Sequence, residues 1–119
     1  MKHILFVGSG AFVGAILRYG MTLIPIAYMT SFMKTMLINI IGAFLLSIIT
    51  RFIEKNMLTQ EMFLLLGTGV CGGFTTFSTF SLEIIQLIDD RHYIIAFLYA
   101  ILSVVLSLFA IILGRIILQ

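Results

Sequence analysis

The chain of 119 residues has no tryptophan, one cysteine, one proline and two histidines, and only 10% of its residues are charged. Each shortage excludes something. A single thiol, Cys71, can form neither an internal disulfide nor a Cys-based zinc cluster. His3 and His92 stand near the ends of apolar stretches and make no ligand pair. A scattered net charge of +2 offers no basic face, so nucleic acid is not an expected partner. No nucleophile–base pair or phosphate loop can be read, so an enzyme is not expected. What remains is apolar. The chain is 61% hydrophobic with a mean hydropathy of +1.22, more apolar surface than a water-soluble core could hide. The composition therefore predicts an all-α integral membrane protein, a single domain over residues 1–119.

Four apolar runs divide the chain, and helices are expected over residues 4–24, 33–53, 62–82 and 93–114. The cationic start Met1-Lys2-His3 is also a signal-peptide feature, but no small-x-small cleavage site closes the run, so it is read as the first span. Gly10 and Gly14 form a GxxxG pair that lets another helix approach, and packing suffices to explain them. Arg18 lies about 21 Å of helix beyond Ile4. Two readings of it stand side by side: a side chain snorkelling to the far interface, or a cation lining an aqueous vestibule that attracts anions. Pro25 ends this helix. In the second span Lys34 and Arg51 are interfacial anchors around Asn39, whose amide suits either interhelical bonding or donation to an anion. Glu83 at the end of the third span is placed in the interface. Asp89-Asp90-Arg91 reads as a solvated turn, and Arg115 anchors the end of the fourth span. On that span Tyr99, Ser103 and Ser107 recur every four residues and share one face, a polar track.

The third run, Met62 to Leu82, carries no charge over 21 positions, yet its centre suits a helix poorly. Gly72 and Gly73 are followed by Thr75, Thr76, Ser78 and Thr79, whose hydroxyls compete for backbone hydrogen bonds. In lipid every freed backbone group needs a partner, so a break is tolerated only against protein or a watery cavity. Broken spans present carbonyls and helix ends to ions. An ion site at mid-membrane is the leading reading, and small-residue packing the plainer one.

With four spans both termini share a side, which collects Lys2, Arg51, Lys55 and Arg115 against Lys34 and Arg91 opposite, plus Arg18 if it snorkels there. Such a weak bias leaves either orientation open. A chain inserted both ways can pair as an antiparallel dimer whose broken third helices meet on the two-fold axis.

Three segments carry a family resemblance. The run Gly72-Gly73-Phe74-Thr75-Thr76-Phe77-Ser78-Thr79-Phe80 resembles the signature of the Fluc (CrcB-type) fluoride channels. Gly10 to Tyr19 is similar to the family's glycine-rich first helix ending in Arg-Tyr, and Asn39-Ile40-Ile41-Gly42-Ala43-Phe44 to its Asn-x-x-Gly-x-Phe element. The likeness spans nearly the whole chain. It departs at Ser47, where the family usually has glycine, which bears on a local packing contact. The resemblance implies a dual-topology antiparallel dimer in the bacterial cytoplasmic membrane, exporting fluoride passively and so relieving its toxicity. It implies a structural Na+ on the axis held by the carbonyls of Gly72 and Thr75, and Phe77 and Phe80 facing fluoride with their ring edges. It implies donors from Asn39, Ser78, Thr79, Tyr99, Ser103 and Ser107, and Arg18 at the vestibule.

Other readings compete. A small multidrug exporter of this size needs an intramembrane carboxylate, and Glu83 is the one candidate near a span. A non-conducting structural or assembly protein would tolerate replacement of Asn39 and the phenylalanines. An obligate heterodimer with a paralogous subunit would leave each chain in one orientation.

Overall fold

The computed structural model describes residues 1–118, and the described residues are helical almost throughout. The order is α1 (Lys2–Leu23), α2 (Ser31–Glu54), α3 (Gln60–Phe63), a π-helical segment (Leu64–Cys71), α4 (Gly72–Phe74), α5 (Phe77–Asp89) and α6 (Tyr93–Ile117). Four helices are long and apolar enough to cross a membrane, the third being the joined stretch Gln60–Asp89. Each runs past the expected span by one to seven residues at one or both ends, because Lys2, Ser31, Glu54 and Asp89 continue the helices into the interface (α1 alone stops one residue short, at Leu23). Large side chains such as Phe12, Phe97 and Phe109 remain exposed, as befits helices whose solvent is hydrocarbon.

Backbone contact organises the core. Gly10 and Gly14 on α1 press against the π-helical segment and α4 so closely that a methyl group on Gly14 would meet the Val70 carbonyl and the Phe74 amide. Gly69 and Gly73 answer from the other side, meeting Gly10 and Ala11. The first-span glycines are thus packing residues, as their spacing suggests. The loop after α1 is closed by Lys34, whose ammonium donates to the carbonyls of Thr22 at 3.0 Å and Ile24 at 2.8 Å at the end of the helix.

The third span breaks, but not at its glycines. Gly72 and Gly73 are helical, and the chain turns extended at Thr75 (φ −75°, ψ 158°) and Thr76 (φ −149°, ψ 118°). β-Branched threonines accept extended backbone readily, whereas Gly73 is needed where α1 comes near. Past the break, α5 carries Glu83 into the protein. Its placement in the interface is corrected: Glu83 is buried and receives hydrogen bonds from Ser31 Oγ at 2.6 Å, Thr35 Oγ1 at 3.1 Å and Tyr99 OH at 2.8 Å. The helix does not end at Leu82, since Ile84, Ile85, Leu87 and Ile88 continue it. The turn at Asp90 and Arg91 is as expected, with Arg91 at φ 62°.

Ser47 is buried where α2 meets α6. Its hydroxyl donates to the Ile111 carbonyl at 2.7 Å, and the same oxygen would lie 2.9 Å from a methyl on Gly114. The small residue at this crossing is on α6 instead of α2.

Candidate functional site

Asn39 repairs the broken backbone. Its Nδ2 donates to the Thr76 carbonyl at 3.1 Å and its Oδ1 accepts from the Thr76 amide at 2.8 Å. One side chain therefore serves both groups that the extended conformation frees, as membrane burial demands. Thr76 is also the N-cap of α5: its hydroxyl accepts from the Thr79 amide at 3.2 Å and donates to Thr79 Oγ1 at 3.1 Å. A cap of this kind stabilises a helix by about 1 kcal/mol. Thr75 turns back the other way, its hydroxyl donating to the Cys71 carbonyl at 2.9 Å.

Around the break lies a cavity of about 340 Å³, lined by Asn39, Thr75, Thr76, Phe77, Phe80, Ser103 and Ser107 together with Val104, Leu108 and Ile111. Its polar lining is made of hydroxyls and one amide, without a charged side chain among the described residues. Ser103 Oγ is buried and has no hydrogen-bond partner among them. Since Asn39 has two N–H donors and one is committed to Thr76, a second is left over. Phe77 packs on Phe80 with ring centroids 5.8 Å apart and is 79% exposed, so one face of the site is open at the subunit surface. Phe80 in turn meets Tyr99 edge-on, with centroids 5.2 Å apart at 63°.

The structure brings together Asn39, Phe77, Phe80, Ser103 and Ser107, all expected at the site. Tyr99 does not line the cavity; it stands behind Phe80, tied to Glu83. Thr79 and Arg18 line a neighbouring cavity of about 190 Å³ with Thr35 and Thr76. Ser78 is exposed, its hydroxyl 3.4 Å from that of Thr76. Gly72 is exposed as well. Glu83 is the site residue that sequence reasoning missed. The signal was the return of apolar residues after it, which marks a carboxylate inside a span and not at its end.

Fold and site together define a class: a multi-pass membrane protein with a broken helix and an uncharged, hydroxyl-lined cavity at the break. Within that class the particular family can be named. The profile of the family described as CrcB-like protein, Camphor Resistance (CrcB), matches residues 5–115, and the chain belongs to that family. It is 44% identical over 113 residues to the Fluoride-specific ion channel FluC of Oceanobacillus iheyensis, covering 91% of this chain and 84% of that one. It is 43% identical over 104 residues to the protein of the same name from Prosthecochloris aestuarii, covering 86% and 81%. With that of Flavobacterium psychrophilum it shares 42% over 113 residues, covering 92% and 91%.

Proposed function

We propose that the protein is a passive fluoride channel of the bacterial cytoplasmic membrane that relieves fluoride toxicity and works as an antiparallel, dual-topology pair of identical subunits. Family membership and the names of its relatives support the ion. The observation that carries the reading is the uncharged donor set around the 340 Å³ cavity, above all the buried, unpartnered Ser103 hydroxyl. Fluoride holds its water strongly. A pore must replace that water with donors, yet bind weakly enough for the ion to leave. Neutral donors from Asn39, Ser103 and Ser107 meet both needs, and the electropositive ring edges of Phe77 and Phe80 greet an anion without trapping it. Ser78 and Thr79 add hydroxyls beside them. Tyr99 and Glu83 hold the Phe80 ring from behind, and Arg18 draws the anion toward its cavity.

A structural Na+ belongs to the same proposal. Hard cations take oxygen ligands. The carbonyls of Gly72 and Thr75 flank the break, and the amides one helical turn on, which would otherwise bond them, turn elsewhere: that of Thr76 to Asn39 and that of Thr79 to the Thr76 hydroxyl. Gly72 has open space in place of a side chain. These carbonyls fit such an ion and would hold it with their counterparts from a second copy. When bound, Na+ supplies fixed positive charge at the subunit junction.

The test is ion release from liposomes holding the purified protein, read with fluoride- and chloride-selective electrodes. Fast loss of fluoride with chloride retained is expected. Retention of both by folded protein would overturn the homomeric channel and favour a paralogous partner or an assembly role.

A further inference from the structure

A series of cavities continues beyond the pore cavity, first between α2 and the third span and then between α2 and α6. The pore cavity shares Thr75 and Ile111 with a second one of about 490 Å³, which in turn shares Leu46 and Ile111 with a third of about 130 Å³. The third lies where α2 and α6 finish, and Arg51 and Arg115 line it. On α6 the stripe Ser103, Ser107, Ile111, Arg115 keeps four-residue spacing, so one helix face leads from the pore hydroxyls to a guanidinium. Arg18 sits in a separate cavity nearer the opposite ends of these helices, with Thr35 and Thr79.

Among the described residues, charge around this third cavity is unbalanced. Arg51 Nη1 lies 2.8 Å from Glu54 and Arg115 Nη2 lies 3.9 Å from the same carboxylate, so two cations share one anion. Arg51 Nε is buried and has no acceptor among the described residues, although Nη2 reaches the Leu118 carbonyl at 3.4 Å. A guanidinium N–H withdrawn from solvent without a partner is costly. An anion, or a water bound to one, in the adjoining cavity would satisfy it.

We propose that Arg51 and Arg115 form an anion-collecting mouth at the α2–α6 end of these cavities, remote from Arg18, concentrating fluoride ahead of the pore. The proposal rests on the channel reading above. Ile111, which borders all three cavities, is the apolar step between mouth and pore.

The experiment compares initial fluoride release from liposomes at low and high ionic strength, set with an impermeant salt, for wild type, R115Q, R115K and K55Q. Lys55 lies on the same side of the membrane but lines none of these cavities. Screening shortens the reach of surface charge from about 30 Å at 0.01 M salt to about 3 Å at 1 M. R115Q is therefore expected to slow release at low salt by roughly threefold, with the difference closing at high salt. R115K should match wild type, and K55Q, one helical turn from Arg51 but outside the cavity lining, should slow release less than R115Q does. Wild-type release with R115Q equal to it at both salts overturns the mouth alone. No release from wild type overturns the channel reading and the mouth with it. If R115Q does not purify as folded protein, R51Q removes the other charge of the mouth and is read at low salt in the same way. Slowed release then supports the mouth, and an unchanged rate overturns it.

Discussion

Glu83 is a carboxylate enclosed by three hydroxyls, from Ser31, Thr35 and Tyr99. A hydrogen bond contributes about 1 kcal/mol net, and an unpaired donor left in the interior costs about 1–3 kcal/mol. Glu83→Gln keeps the shape but turns one carboxylate oxygen into an N–H that meets a hydroxyl. We expect a loss of about 1 kcal/mol, since the Gln oxygen keeps the Ser31 and Thr35 bonds and only the Tyr99 hydroxyl must turn to accept, seen as a lower melting temperature in detergent. An unchanged melting temperature would mean that reversing the Tyr99 bond costs nothing net. The sequence displayed Glu83 but hid its partners, because Ser31 and Thr35 stand 52 and 48 positions away. Asn39 was legible as a polar residue inside a span, whereas its grip on both backbone groups of Thr76 required the fold.

At the scale of elements, the small residues of α1 were readable and the shape of the third span was not. GxxxG spacing announces a close helix contact, and Gly10 and Gly14 make one. Nothing in Leu64-Leu65-Leu66-Gly67-Thr68-Gly69-Val70-Cys71 signals the π-helix that this segment forms where it packs against α1. The break falls at Thr75 and Thr76, while Gly73 stays helical where the α1 backbone touches it and Thr76 closes the extended turn with its own hydroxyl. This yields a contrast between two glycines of one helix. Gly14→Ala drives a methyl into the Val70 carbonyl, which no side-chain movement relieves, and Gly20→Ala meets nothing within 4 Å. Gly14→Ala should lower stability by about 3 kcal/mol, the upper end of what overpacking costs. Gly20→Ala should be neutral or stabilising by up to about 1 kcal/mol. Denaturant titration of both variants checks the pair, and equal midpoints would refute the account of α1.

For the whole molecule, composition sufficed to read four spans in a membrane, and the four long apolar helices agree. Assembly was less legible, because four cations on one side face two on the other, with Arg18 drawn into a cavity between the helices. So small a bias predicts insertion in both directions. With Cys71 replaced by alanine, a Lys55→Cys protein should react from outside intact cells in about half of its copies with a membrane-impermeant thiol reagent. Reaction of all copies or none would contradict dual topology. The exposed Phe77 ring at the edge of the pore cavity is where a second subunit would complete the site. The central claim is that fluoride passes between the phenylalanine edges and the hydroxyls of α6, and the most direct test is the initial rate of fluoride release from liposomes carrying wild type or Phe80→Ile. Isoleucine fills similar space but has no electropositive edge. Rapid release by wild type and at least a tenfold loss in folded Phe80→Ile is the predicted result. Equal rates from the two proteins would contradict it and place the ion path elsewhere.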